Sequence, residues 1–192
     1  MFQSYVRKLF TNKRLIVPRE VGLAVLKGAV LFGHNPVAIG HRVCRFTYGV
    51  ETSVTFVTGK HRKDKRKIVG DEDLCVDIFD IHVYKGQSVK LNEKQAPMVY
   101  QPQHPWQKTV SFTFYSSIES NPVYVTDDGI TELGKITVNV LGQTKEINAV
   151  DISSKFGGTE IQVEARDKKT GKATKAKIDF IETNELESLT FV

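Results

Sequence analysis

Cysteine is nearly missing from this sequence: Cys44 and Cys75 are the only two in 192 residues, and they form no closely spaced pair. Both sit in apolar or alternating runs, which points to buried free thiols and a reducing compartment rather than a disulfide framework. No Asn-x-Ser/Thr acceptor occurs, in keeping with a cytoplasmic setting. The first twenty residues hold no basic cluster followed by an apolar run, and no stretch approaches the ~18–20 apolar residues that span a bilayer. A soluble protein without a membrane span is expected. Phosphate cradles are also lacking, since there is neither a G-x-x-x-x-G-K-[ST] loop nor a G-x-G-x-x-G turn after a strand, and Gly157 and Gly158 lead straight into a strand pattern. His34, His41, His61, His82 and His104 have no zinc-like spacing and read as surface or turn histidines. His41 precedes Cys44 by three residues, but no orienting third group or oxyanion signature accompanies them. Asp127, Asp128 and Gly129 lack the later ligands of a calcium loop and read as a tight turn. No enzyme, cofactor or metal is therefore expected in these residues.

What is present is an ordinary globular composition, 40% apolar and 26% charged, with a net charge of +5. Much of that charge comes from one run, residues 60–67, whose composition predicts a solvated loop. Phe2, Tyr5, Val6, Leu9 and Phe10 fall on one stripe of a short amphipathic helix over 2–10. A second apolar helix follows Pro18 and Glu20 and runs to Gly33; Gly22 and Gly28 within it predict the close approach of another backbone. From about residue 42 the apolar period changes to two. Strands are expected at 42–50, 53–58, 76–84, 88–91, 97–101, 108–115, 122–126, 134–140, 145–150, 159–166 and 173–181. The clearest hairpin sets Ile161, Val163 and Ala165 against Ala176, Ile178 and Phe180 across a turn at 167–171. Many short strands at this spacing predict a sandwich with loops free at its ends.

Residues 96–102, Ala-Pro-Met-Val-Tyr-Gln-Pro, place apolar groups between prolines that interrupt strand pairing. They either form a pocket on a loop or cap the core. Trp106 either anchors that loop or shields one end of the core.

Several stretches resemble the 70-kDa heat-shock protein family, most closely its divergent type-12 branch. Residues 21–36, Val-Gly-Leu-Ala-Val-Leu-Lys-Gly-Ala-Val-Leu-Phe-Gly-His-Asn-Pro, resemble the final helix of that family's nucleotide-binding domain. Residues 45–52, Arg-Phe-Thr-Tyr-Gly-Val-Glu-Thr, resemble the opening strand and turn of its substrate-binding β domain. Residues 133–138, Leu-Gly-Lys-Ile-Thr-Val, and 161–172, Ile-Gln-Val-Glu-Ala-Arg-Asp-Lys-Lys-Thr-Gly-Lys, resemble later strands of that domain, in the same order and spacing. The resemblance implies a mainly β fold: a β-sandwich substrate-binding domain over 41–182, preceded at 1–40 by two helices from the tail of an actin-like ATPase domain and followed by a tail at 183–192. It also implies a groove for extended hydrophobic peptides, with Val50 and Thr52 on the first loop, Met98, Val99 and Tyr100 on an opposing arch, and Val110 and Phe112 on the pocket floor.

The departures from the family pattern are as specific as the matches. The resemblance implies that the chain starts downstream of the loops that hold ATP and magnesium and stops before a helical lid, so peptides would exchange quickly. Arg19 stands where the family is acidic, the acidic-aliphatic linker before residue 45 is missing, and 55–82 resemble an insertion. Three readings follow: a chaperone-type peptide-binding module able to dock on a nucleotide-binding domain, a fragment of an ATPase whose catalytic parts lie elsewhere, and a nucleic-acid binder acting through 60–67. No aromatic stacking platform flanks that basic run, which disfavours nucleic acid.

Overall fold

The fold is described from a computed structural model over residues 2–35, 40–104, 106–140, 148–156 and 160–179. Two compact units divide after Gly40. The first is helical, with α1 at Phe2–Leu9 and α2 at Val21–His34. Arg7 and Lys8 close α1, where cations suit the negative end of the helix dipole. The Glu20 carboxylate pairs with Lys27 two turns into α2 rather than capping the helix. α2 has no buried residue, and Val25, Leu26, Val30 and Leu31 are all exposed. The close backbone approach expected at Gly22 and Gly28 is not found, because a Cβ at either position would meet nothing within 4 Å.

The second unit is mainly β. Its strands are β1 (His41–Val43), β2 (Thr47–Thr55), β3 (Arg66–Val69), β4 (Glu72–Val83), β5 (Ser88–Lys90), β6 (Met98–Tyr100), β7 (Thr109–Ser117), β8 (Ile130–Asn139), β9 (Val150–Phe156), β10 (Glu160–Asp167) and β11 (Ala173–Asp179). All pair antiparallel, in a five-stranded sheet ordered β3-β4-β2-β7-β8, a four-stranded sheet ordered β11-β10-β9-β6 and a two-stranded pair β1-β5. One core joins the two larger sheets. Val50, Phe112, Phe114, Ile136 and Val138 enter it from the first, and Ile152, Ile161, Val163 and Ile178 from the second. Each fully buried side chain of this kind contributes about 1.5–3 kcal/mol through removal of apolar surface from water.

The β10–β11 hairpin has the register its alternation predicts, with Ile161 opposite Ile178 and Val163 opposite Ala176. Its turn is held by Asp167, whose Oδ1 accepts from the amides of Lys169 and Thr170, while Gly171 takes φ +70°. Phe180 and residues 145–147 of an expected strand lie outside the described residues. Cys44 and Cys75 are buried free thiols, as their apolar surroundings predict.

Other expectations need correction. Residues 122–126 form a turn with a single bridge, Tyr124 opposite Ile78, because the segment is held by isolated bonds to β4: Phe79 N–H to Val123 O and Val125 N–H to Asp77 O. The basic run at 60–67 is mostly solvent-exposed, as expected, but it is not a loop throughout. It enters a 3-10 turn at Lys63–Lys65 and then β3, which pairs with β4 from Arg66↔Cys75 to Val69↔Glu72. Strand β9 went unpredicted over most of its length because polar Ser153, Ser154 and Lys155 interrupt its apolar alternation. Trp106 is 66% exposed and stacks on His104 with ring centroids 4.7 Å apart, so it braces its loop from outside and shields no core.

Candidate functional site

The five-stranded sheet splits. Strands β2 and β7 pair from Thr47↔Ser117 to Val50↔Phe114, and there the ladder between them ends. Beyond that point β2 stays with β4, Glu51 opposite Phe79 and Thr52 opposite Ile78, while β7 stays with β8 as far as Thr109↔Asn139. The gap is a cleft of about 440 Å³ bordered by Glu51, Thr52 and Ser53 on one side and residues 109–113 on the other. Both the inward residues Val110 and Phe112 and the outward residues Thr109, Ser111 and Thr113 touch it, which requires that it run along the strand's edge. Tyr100, Gln101, Pro102 and Gln103, on the chain leaving β6, border a further side.

Tyr100 is the most constrained group at the cleft. Its ring packs on Phe112 with centroids 5.3 Å apart, and its hydroxyl donates to Asp80 Oδ2 at 2.7 Å. The Tyr100 hydroxyl oxygen also lies 2.8 Å from His82 Nε2. With the phenolic hydrogen committed to Asp80, His82 must donate from Nε2, which fixes the neutral tautomer with its proton there. Burial pushes the His82 imidazole down to about 4, partly opposed by the Asp80 charge. Burial, together with the hydrogen bond to Asp80 and the charge of that carboxylate, raises the Tyr100 hydroxyl far above the usual phenol range. With His82 neutral and the Tyr100 hydroxyl protonated at neutral pH, the trio is a hydrogen-bonded brace.

Four of the seven residues expected at a groove border this cleft: Thr52, Tyr100, Val110 and Phe112. Val50 does not; it is fully buried in the core, because it belongs to the last pair before the sheet splits. Met98 and Val99 also lie outside the lining. They belong to β6, an edge strand paired with β9 as Met98↔Ile152 and Val99↔Asp151, rather than to an arch over the cleft. Sequence reasoning missed Glu51, Ser53, Gln101, Gln103, Ser111, Thr113 and Lys135, all of which line it. The available signal was the polar alternation of β7, where Thr109, Ser111 and Thr113 flank the apolar positions.

The fold pairs half of the Lys and Arg side chains of the basic run with carboxylates. Arg62 pairs with Asp64 and Asp127, Arg66 makes a bidentate pair with Asp73, and Lys65 donates to Asp77 Oδ2 and Thr126 Oγ1. Only Lys60, Lys63 and Lys67 remain without a carboxylate partner among the described residues. Asp127 Oδ2 also accepts from the Tyr124 amide, so this carboxylate serves its own turn.

A second depression, about 570 Å³, lies on the outer face of the four-stranded sheet around Glu164. Lys94, Arg166 and Lys175 converge on its carboxylate, and the bonds from Lys94 and Arg166 hold it down to about 2. The stems of Lys94, Lys155, Lys175 and Lys177 supply much of its walls, so this is a covered ion-pair cluster. Cys44 offers no activated nucleophile, because burial pushes its thiol up. Among the described residues no three His, Cys, Asp or Glu side chains could hold a metal ion, and no helix is long and apolar enough to cross a membrane.

Comparison with known proteins gives no matching family model. The chain is 35% identical over 189 residues, 94% of its own length, to heat shock 70 kDa protein 12A of Mus musculus and to that of Homo sapiens. It is 34% identical over 180 residues, 88% of its length, to heat shock 70 kDa protein 12B of Homo sapiens. The matched segment is 26–27% of each relative, so the chain spans about a quarter of the length of these proteins. With this identity over nearly its whole length, the chain belongs to the type-12 branch of the 70-kDa heat-shock protein family.

Proposed function

We propose that the β unit, residues 41–182, is a β-sandwich substrate-binding domain that holds extended peptide segments in the cleft between β2 and β7, as a chaperone does. The observation that carries this reading is the end of the β2–β7 ladder at Val50↔Phe114, beyond which two strand edges border an open cleft. Strand edges recognise an extended chain through main-chain hydrogen bonds, with affinity that tolerates sequence variation. Kinship with heat shock 70 kDa proteins 12A and 12B supports it. On the same reading, residues 1–40 are the tail of an actin-like ATPase domain, 183–192 are a tail, and ATP with magnesium is handled by residues outside this chain in a cytoplasmic protein. The apolar α2, with no buried side chain of its own, accords with a helix that docks on such a domain.

Fluorescence anisotropy with labelled extended peptides of varied sequence tests the proposal. Binding that weakens when Thr52→Glu and Ser111→Glu place charges on the two walls is expected. Absence of binding at high micromolar protein, or binding indifferent to both changes, would overturn it. Calorimetric titration with ATP and magnesium tests the second half, and hydrolysis by this chain alone would contradict it.

A further inference from the structure

The β2 wall of the cleft is supported from behind. Past Val50, β2 has left β7 and pairs with β4 alone, Glu51 opposite Phe79 and Thr52 opposite Ile78. β4 is gripped in turn by the connection between β7 and β8. Tyr124 forms a bridge with Ile78, the Phe79 amide donates to the Val123 carbonyl, and the Val125 amide donates to the Asp77 carbonyl. Tyr124, Ile78 and Thr52 therefore stand in one row that ends at the cleft.

One ion pair fixes this grip. Between Thr52 and Val54 the register of β2 and β4 shifts, and Asp77, on the β4 side of that shift, takes φ +59°. A non-glycine residue stays in the left-handed region only where its surroundings enforce it. Here Lys65 does so: its Nζ donates to Asp77 Oδ2 at 2.8 Å and to Thr126 Oγ1, and lies 5.9 Å from the centre of the Tyr124 ring. The Lys65 side chain is 11% exposed, so salt and water screen the pair little.

We infer that Lys65 and Asp77 are positioning residues for the cleft, their ion pair setting where the β2 wall stands relative to β7. The effect on peptide exchange rests on the peptide-binding reading; the effect on the wall does not. Two strand edges bond one extended chain together only at a fixed separation, because a hydrogen bond weakens steeply with added length or misalignment. With the pair broken, Asp77 loses the group that holds its backbone, β4 relaxes toward regular pairing, and Thr52 and Ser53 move with it. Lys65 thus acts on a cleft whose lining it does not join.

The test reads wall and ligand separately, in variants checked for folding by circular dichroism. Spin labels at Ser53→Cys and Ser111→Cys, one on each wall, report the distance across the cleft by pulsed electron resonance, while Cys44 and Cys75 are buried from the reagent. The intact pair is expected to give a narrow distance distribution, and Lys65→Met or Asp77→Asn a broadened or shifted one. Lys65→Arg, which keeps the charge and the donors, is expected to keep it narrow. Asp167→Ala, which loosens the β10–β11 turn in the other sheet, is expected to lower stability without broadening it. In stopped-flow anisotropy without spin labels, a bound extended peptide is expected to leave the Lys65→Met chain at least about fivefold faster. A distribution unchanged by both Lys65→Met and Asp77→Asn, or broadened equally by Asp167→Ala, would overturn the inference. Release rates unchanged while the distribution broadens would overturn the link from wall to ligand. Broadening in a chain whose unaltered form binds no peptide would uphold the positioning role and remove the peptide-binding reading.

Discussion

Tyr100 shows how much a single side chain decides at the cleft. Its ring closes the floor, and its hydroxyl joins β6 to Asp80 and His82 on β4, linking the two larger sheets. The cost of this brace is carried by His82, which is held neutral among Tyr100, Asp80 and the edge of Phe114. The sign of the resulting pH dependence is fixed. Above pH 6.5 the imidazole is neutral in both folded and unfolded chains, so the full stability is present. Between 6.5 and about 4 the unfolded chain takes up a proton that the folded one refuses, and stability falls. A loss of about 2 kcal/mol is expected between neutral pH and about pH 5. Urea midpoints at the two pH values measure it, and His82→Gln, which has no titrating group, is expected to flatten the dependence.

Gly49 is the residue-scale counterpart in β2. A Cβ there would fall on the Asp80 carbonyl oxygen and the Phe79 ring, at the register shift between β2 and β4. Gly49→Ala is expected to cost about 1–3 kcal/mol by forcing those strands apart, read as a lowered urea midpoint with unchanged slope. Gly49 lies inside the stretch that carries the family resemblance, and the sequence alone gave no sign of what required it.

At the scale of elements, the segment at 55–82 is the largest difference between expectation and fold. Composition reads 60–67 as solvated charge, yet Lys65 is 9% exposed and anchors β3 to β4 and to the turn at 122–127. A buried ammonium is tolerable only with such partners, so removing one partner leaves the other exposed to the full desolvation cost. Lys65→Met is expected to destabilise the chain by about 2–3 kcal/mol and to raise amide exchange first in residues 66–79, measured by hydrogen exchange. Uniform loss of protection would show that this segment does not open separately. The β10–β11 hairpin, in contrast, was legible because its alternation, its turn glycine and the Asp167 cap all lie within twenty residues of one another. β9 was illegible, since Ser154 occupies an inward position where apolar patterning fails.

At the scale of the whole molecule, a net charge of +5 invites the thought of nucleic acid, but the fold spends half the basic run on its own carboxylates. With Lys60, Lys63 and Lys67 left, the salt dependence of any such binding should correspond to no more than about three phosphate contacts. Titration against a labelled duplex at several salt concentrations checks this; a much steeper slope would mean that the ion pairs open. For the helical unit, light scattering of the purified chain reads whether the exposed apolar side chains of α2 lead to self-association. Leu26→Glu with Val30→Glu is expected to abolish any association that appears.

The sequence by itself determined the strand and helix periods, the turn glycines and the family kinship, because each is written in neighbouring residues or in ordered motifs. It could not determine where β2 leaves β7, nor which carboxylates meet the basic run. Alternation specifies which face of a strand a side chain takes, but not which distant strand lies beside it or where that pairing stops. The cleft exists because one ladder ends at Val50↔Phe114, and its apolar border is shaped because Tyr100 arrives from the other sheet to pack on Phe112. Both are relations between segments far apart in the chain, and only the tertiary structure brings those segments together.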